Sequence, residues 1–470
     1  MTEPLWQWDE LAAAAESRAD GTPDAAVTGF SIDTRTLAAG DVFVALEAER
    51  DGHAFIADAF VKGAAAALVS KGYRRGKGDG ALLRSGGTSL DALEAIGRAA
   101  RVRSNARIAA VTGSAGKTGT KEMLRLCLSE IGPTHASEKS YNNHWGVPLT
   151  LARMPRDAAF GVFEIGMNHA GEITPLTQMV RPHAAVITTV EPVHLEFFPS
   201  VEAVAEAKAE ILLGLVPGGT AVLPRDNPHF DFLKQRASAV GAKVVDFGFS
   251  QNAAVHAIQA NLDARGSSVI AGMGTQRFPY RVGAPGEHYV RNSLAVLAAV
   301  LALGADAMRA LPALLRVTAP PGRGQRITLD VPGGRILLID ESYNANPASV
   351  RAALAAMATT PREDYPRRIA VLGDMLELGA SSADLHRGLE DAVDAAGIDQ
   401  LFACGPLTRA LFDAIDTGRR GAWAPDSAAL EPLLLAAVRA GDAVMIKGSL
   451  ASRMAPLAQA LLARYSRVGG

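Results

Sequence analysis

The stretch RIAAVTGSAGKTGTKEM, Arg107 to Met123, decides how the rest of the chain is read. Ile108 to Val111 read as a buried strand, and Gly113 and Gly116 let the backbone turn tightly enough for its N–H groups to converge on a phosphate oxygen. A helix is expected to begin near Lys117. Its N-terminal partial positive charge, the Lys117 ammonium and the Thr118 hydroxyl together suit a polyphosphate with Mg²⁺. The spacing is not that of a full G-x-x-x-x-G-K-[ST] loop, because five residues before Gly116 stands Val111. What remains is the shorter T-G-S-x-G-K-T, whose plain alternative is a glycine turn ahead of a helix.

Around that stretch the composition is unexceptional and therefore restrictive. A chain of 470 residues is long enough for about three domains. Forty-seven basic against forty-nine acidic residues leave a net charge of −2, so no basic field recommends nucleic acid or an anionic membrane, and the electrostatics point to small ligands. Cys127 and Cys404 are too few for a disulfide framework or a cysteine metal site, and each lies in an apolar run. No secretory signal is visible at the N-terminus. The longest apolar run, Leu294 to Leu303, is shorter than the ~20 residues that a bilayer span needs. A cytoplasmic protein without membrane insertion, acting as a monomer, is the expectation.

Turn signals and alternating patterns divide the chain into residues 1–88, 89–318 and 319–470. The first unit reads as a small α/β domain, with strands near Thr28–Ile32, Asp41–Leu46 and Ala66–Ser70, and residues 71–88, rich in glycine and charge, read as its closing loop. The second unit opens with a helix over Leu90–Arg103 and carries the glycine loop on a parallel sheet. Its strand Phe160–Ile165 runs into E-I-G-M-N, placing Glu164 near a strand's carboxyl end, where α/β sheets place ligands. Glu164 is either a Mg²⁺ ligand or a surface glutamate.

Further on, an amphipathic helix carries Val201, Val204, Ile211, Leu212 and Leu215 on one stripe and Glu202, Glu206 and Glu210 on the opposite one. Lys208 falls within the apolar stripe. Lysine is rarely buried without a partner. Either it reaches along the stripe to a carboxylate, or burial favours its neutral amine, which can take up CO₂ and become a metal-binding carbamate. The third unit alternates strands and helices, with strands Arg335–Asp340, Arg367–Leu372, Leu401–Cys404 and Ala443–Ile446, a pattern that predicts a Rossmann-like, doubly wound sheet.

Several motifs in this frame resemble those of the Mur ligases, ATP-dependent amide-forming enzymes that build the peptidoglycan peptide stem. T-G-S-x-G-K-T is similar to their nucleotide loop. FSIDTRTLAAGDVFVAL resembles their N-terminal domain, which implies that Ser31, Thr34 and Arg35 hold the UDP end of the substrate, unless they form only a polar turn. YNNHWGVPLTL matches their N-N-x-x-G-x-P-L-T-L run and implies the same for Asn142 and Asn143, whose alternative is loop capping. H-L-E followed by K-A-E-I is similar to the segment in which a histidine and a carbamylated lysine help hold a second Mg²⁺, roles that fall to His194 and Lys208.

By the same resemblance Asn292 lies beside the adenine base and Arg323 contacts the nucleotide, against helix packing for the first and a solvated side chain for the second. D-E-S-Y-N-A-N-P, G-D-M-x-E-L-G and K-G-S resemble the branch that joins D-alanyl-D-alanine to UDP-N-acetylmuramoyl-tripeptide, with Tyr343, Asn344 and Asn346 on the substrate side. Asp374, Glu377 and His386 are candidates for dipeptide binding or domain closure, or else caps and turns. Three positions depart from the pattern: Glu341 replaces an aspartate, Gly119 stands where threonine or serine is common, and Pro224 breaks an N-x-D run.

The resemblance implies ATP-driven activation of a carboxylate as an acyl phosphate, followed by attack of the dipeptide amine. It assigns the nucleotide to Gly113, Ser114, Ala115, Gly116, Lys117, Thr118, Gly119, Asn292, Arg323 and Glu341. Two Mg²⁺ fall to Thr118, Glu164, His194 and carbamylated Lys208, with Lys117, Glu164, His194 and Lys208 catalytic. The competing readings are another amide ligase of the superfamily, such as the one adding the third stem residue or a folylpolyglutamate synthase, and a nucleotide-binding regulator without catalysis.

Overall fold

The computed structural model describes residues 3–138, 140–193 and 195–467. Three sheets follow one another along the chain, with strands within residues 18–84, 107–282 and 325–467. The first has five strands. Residues 71–88, expected to be loop, contain one of them: Ala81–Arg84 pairs in parallel with Ala66–Val69 and antiparallel with Arg18–Asp20. Its Ala-Leu-Leu core is buried; three apolar residues between glycine-rich flanks are too short a run for periodicity to reveal.

The helix Ser89–Val102 carries the chain to the second sheet. Its start is fixed by a capping box in which the Thr88 side chain accepts from Asp91 N–H and the Asp91 carboxylate accepts from Thr88 N–H. Its apolar face packs on the helix Gly146–Ala152, and Gly97 permits the close approach, since a Cβ there would lie 3.2 Å from Pro148 Cα. Further contacts tie the first unit to the second. Trp6 Nε1 donates to the Ala152 carbonyl at 2.9 Å, Arg153 Nε donates to the Phe30 carbonyl at 2.8 Å, and the Arg103 guanidinium lies 3.3 Å above the Trp6 ring.

The nine-stranded second sheet is parallel from Thr134–Ala136 across to Val255–Asp263 and ends in an antiparallel extension through Gly266–Met273 and Gln276–Val282. The parallel sheet expected here thus carries an antiparallel edge. The helix Glu287–Ala302, which contains the longest apolar run, is buried along nearly its whole circumference within this domain. Among the described residues no helix is long and apolar enough to cross a membrane.

The third sheet has seven strands, five of them parallel, with Gln325–Val331 and Ser466–Arg467 antiparallel at one edge. Its contact with the second unit includes a backbone hydrogen bond from Glu196 N–H to the Glu377 carbonyl, 3.2 Å. Glu377 sits at φ +61°, a left-handed conformation uncommon for a residue with a Cβ.

Candidate nucleotide and metal site

Register explains why distant residues meet. The strand Arg107–Thr112 lies between Phe160–Glu164 and Ala184–Ile187, with Val111 opposite both Glu164 and Val186. The glycine loop, Glu164 and the Thr188–Glu191 segment thus leave the same edge side by side. Gly113 has φ +148°, and a Cβ there would overlap the Thr188 hydroxyl at 1.9 Å. Gly116, at φ +81°, is the N-cap of the helix Lys117–Ser129, and a Cβ there would lie 2.9 Å from the Asn292 amide. Both glycines are required by close approach as well as by backbone angle.

The loop is held from one side by a segment that motif reading passed over. Ser114 N–H donates to the Thr189 carbonyl at 2.9 Å, Thr188 Oγ1 donates to the Ala115 carbonyl, and Glu191 N–H donates to Ser114 Oγ at 2.9 Å. Asn227 Nδ2 donates to Thr189 Oγ1 at 3.2 Å and braces this clamp from beyond the departure at Pro224. The strand-end position of Thr188 and Thr189 was the one available signal.

A cavity of about 810 Å³ lies between the second and third units. It is lined by Ser114 to Gly119, Asn142, Glu164, Asn292, Arg323, Glu341, Tyr343, Asn344 and Asn346, so most of the expected nucleotide and substrate residues are brought together. Lys117 Nζ donates to the Gly113 carbonyl at 2.8 Å. Burial lowers the pKa of this ammonium, the Glu164 charge opposes the shift and the Arg323 charge adds to it. Arg323 itself lies 4.0 Å above the Tyr343 ring.

Glu164 is 1% exposed. Its Oε1 accepts from Asn142 Nδ2 at 2.8 Å, and its buried Oε2 has no hydrogen-bond partner among the described residues. An orphaned carboxylate oxygen on the wall of a phosphate-type cavity fits a hard cation such as Mg²⁺.

Lys208 is 2% exposed, and no carboxylate of the described residues pairs with it. Burial holds its pKa well below the usual lysine range, and the Lys117 charge pushes the same way. The reading in which it reaches a carboxylate is thereby excluded among the described residues. Lys208 does not line the cavity. His194 lies outside the described residues. The helix around Lys208 also differs from expectation, because it is α-helical only over Val201–Ala209 and continues as a 3₁₀ turn, Glu210–Gly214. Glu210, expected on the polar stripe, instead accepts from Gly171 N–H at 2.6 Å and from Thr174 N–H at 3.0 Å, at the start of the helix Ile173–Val180.

On the third unit, Glu341 stands opposite Lys447 on the neighbouring parallel strand, and their side chains pair at 3.2 Å. Lys447 Nζ also donates to the Asn344 carbonyl at 3.0 Å. Asn346 caps the helix Pro347–Ala358, accepting from Ser349 N–H at 2.8 Å. Asp374 accepts from Thr408 N–H and Oγ1, both at 2.7 Å. His386 accepts from Met375 N–H on Nε2 at 2.9 Å and donates from Nδ1 to the Ser382 carbonyl at 2.7 Å. Asp374 and His386 thus shape the loop, while Glu377 lines the cavity.

The remaining expected residues lie elsewhere. Ser31, Thr34, Arg35 and Asn143 do not line this cavity. Ser31 Oγ donates to the Asp33 carbonyl at 3.0 Å, Arg35 pairs with Asp33 at 2.7 Å, and Asn143 Oδ1 accepts from Gly146 N–H at 3.0 Å as a loop cap. Gly119 has open space beside it, the nearest atom to an added Cβ being Asn292 Nδ2 at 3.8 Å.

Residues 111–300 match the Mur ligase middle domain and residues 322–450 the Mur ligase, glutamate ligase domain. UDP-N-acetylmuramoyl-tripeptide–D-alanyl-D-alanine ligase from Escherichia coli is 37% identical over 450 residues, 94% of either chain. The ligase of the same name from Synechocystis is 34% identical over 94% of this chain and 93% of its own. Among solved structures, MurF from Acinetobacter baumannii superposes with a TM-score of 0.83 at 28% identity, covering 98% of this chain and 99% of that one. Family models over more than half of the sequence, relatives aligned almost end to end, and a glycine loop, buried glutamate and third-unit segment around one cavity agree: the chain belongs to the Mur ligase family.

Proposed function

We propose that this protein is an ATP-dependent, ADP-forming carboxylate–amine ligase that joins D-alanyl-D-alanine to UDP-N-acetylmuramoyl-tripeptide, giving the UDP-linked pentapeptide of peptidoglycan synthesis. The observation that carries the reading is the shared cavity, in which the phosphate loop of the second unit faces Tyr343, Asn344 and Asn346 of the third. Its relatives bearing that name align over nearly their whole length.

The terminal carboxylate of the tripeptide attacks the γ-phosphorus; an O–P bond forms, the bond to the β-phosphate oxygen breaks and ADP leaves with that electron pair. The dipeptide amine then adds to the acyl carbon, gives up a proton, and inorganic phosphate departs as the amide forms. Two anions must approach one another in the first step, so fixed positive charge is the main requirement. Lys117 exchanges the Gly113 carbonyl for phosphate oxygens, and the loop N–H groups, held by the Thr188–Glu191 clamp, receive the phosphates without rearranging. Arg323 enters from the third unit on the same side as Lys117. The Glu377 contact with Glu196 holds the third unit over the second and helps keep water from the acyl phosphate.

Magnesium supplies charge neutralisation between the two anions when bound. Thr118, Glu164, His194 and Lys208 would hold it at two sites, Lys208 as a carbamate. In forming that carbamate the neutral Nζ bonds to the carbon of CO₂ and releases a proton to solvent; burial and the depressed pKa of Lys208 support this. Ser31, Thr34, Arg35 and Asn143 are assigned to the UDP end of the substrate. Action as a monomer in the cytoplasm, where ATP is available, belongs to the same reading.

The test is ADP release from purified protein with ATP, Mg²⁺ and UDP-tripeptide, with and without D-alanyl-D-alanine. Sustained ADP release requiring both substrates is expected. ATP binding without ADP release would instead identify a nucleotide-binding regulator, and turnover with a single amino acid in place of the dipeptide a different amide ligase.

A further inference from the structure

Asn142 belongs by sequence resemblance to a run that leads toward the UDP-sugar, yet its amide nitrogen is engaged elsewhere. Its Nδ2 donates to Glu164 Oε1 at 2.8 Å, and its backbone carbonyl accepts from Gly166 N–H, also at 2.8 Å. Both contacts are local to the end of the strand Phe160–Glu164. Gly166 makes room for this arrangement, because a Cβ there would lie 2.9 Å from Asn142 Cγ and 3.0 Å from either amide terminal atom. The strand end has a second support, in which Glu164 N–H donates to Ser137 Oγ at 3.3 Å while buried Lys121 donates to the Ser137 carbonyl at 2.7 Å.

A carboxylate has two oxygens and turns readily about its terminal torsion. Here one oxygen is tied and the other is buried and unsatisfied among the described residues, on a residue that lines the cavity. Without the Asn142 donor no other side-chain hydrogen bond of the described residues selects which oxygen faces the cavity. Second-layer hydrogen bonds of this kind fix metal-binding carboxylates, and their loss typically weakens metal affinity about 10- to 100-fold.

We propose that Asn142 is a positioning residue for the cation site: its amide holds Glu164 Oε1 so that Oε2 is presented to the metal, and it is not a contact for the UDP-sugar. This rests on the proposed function only in taking Glu164 as a ligand of the nucleotide-bound cation. Mn²⁺ binding in the presence of a non-hydrolysable ATP analogue, followed by electron paramagnetic resonance, reads it directly. It is paired with the KM for UDP-tripeptide at saturating Mg²⁺.

Asn142→Ala is expected to weaken Mn²⁺ about 10- to 100-fold and to leave that KM within about threefold. Gly166→Ala, which displaces the amide while keeping it in the protein, is expected to do the same and serves if Asn142→Ala fails to fold. A raised KM for UDP-tripeptide with unchanged Mn²⁺ binding would overturn the inference and restore Asn142 to the substrate. Loss of Mn²⁺ affinity in a protein whose wild type releases no ADP with the two substrates would sustain the positioning role and sink the proposed reaction. No Mn²⁺ binding by the wild type with nucleotide would overturn the inference outright.

Discussion

The two walls of the cavity are built on opposite electrostatic plans. The second unit carries buried polar groups left incomplete: Glu164, on the wall itself, has an Oε2 without a partner among the described residues, and Lys208, which is not part of the lining, is buried with no carboxylate of the described residues beside it. The wall from the third unit is self-satisfied. Glu341 and Lys447 neutralise one another, Asn346 caps a helix, and Tyr343 and Leu450 stand exposed. Buried unsatisfied groups are costly and persist where something else completes them. The first wall therefore reads as a receptor for ions, and the second as a surface that remains stable whether or not it is engaged.

Four substitutions put that contrast under strain, from the largest effect to the smallest. Lys208→Met should lower ligation by about 100-fold or more, comparable to losing an electrostatic group aimed at a transition state. Its melting temperature should stay level or rise, since a buried charged or chargeable group gives way to an apolar one of similar length. A normal rate would remove the carbamate, and a collapsed melting curve would make Lys208 structural.

On the opposite wall the order reverses. Lys447→Met leaves Glu341, whose side chain is only 14% exposed, without its partner and should cost about 3 kcal/mol of stability by denaturant titration, with most of it recovered in the double variant with Glu341→Gln. If Lys447→Met melts like the wild type, the third-unit wall is not self-satisfied.

A weaker, pH-dependent effect is expected at His386. Burial lowers its pKa, with the Ser382 carbonyl and the Asp374 charge opposing. With the folded pKa below the unfolded one, the unfolded chain takes up a proton first as the pH falls through about 6.5, so this contribution to stability is lost on acidification. Protonation of Nε2 would also break the bond from Met375 N–H. His386→Gln should flatten the fall in denaturation midpoint between neutral pH and pH 5, and an unchanged profile would show that the imidazole contributes nothing there.

The smallest effect is expected at Gly119, where the free space around an added Cβ permits a better helix former. Gly119→Ala should raise stability by about 0.5 to 1 kcal/mol with nucleotide affinity unchanged. A fall in affinity would mean that the missing side chain makes room for a ligand.

The features legible in the sequence were those encoded locally. The glycine loop shows itself in seven residues, Lys208 betrays its burial through helical spacing, and Glu164 through its place at a strand end. Features set by register between distant strands were silent. Nothing in T-T-V-E announces that Thr188 will close over Ala115, because that depends on Val186 lying opposite Val111. Ala81–Arg84 looks like loop in the sequence because three apolar residues carry no period, and only pairing with Ala66–Val69 makes them a strand. The motif around Asn142 points to the substrate and does not announce the bond its amide makes to Glu164, twenty-two positions away.

The joint between the first two units has a consequence for substrate choice. With Trp6 anchored to Ala152 and Arg153 to Phe30, the span from Arg35 to Lys117 is set by the fold. On the proposed function it acts as a gauge, measuring the peptide stem from its nucleotide end. A stem one residue too short would stop roughly 3.5 Å shy of the phosphate, and one residue too long would overshoot. UDP-dipeptide and UDP-tetrapeptide are therefore expected to occupy the protein without triggering ADP release, and turnover of either would show that the gauge has slack.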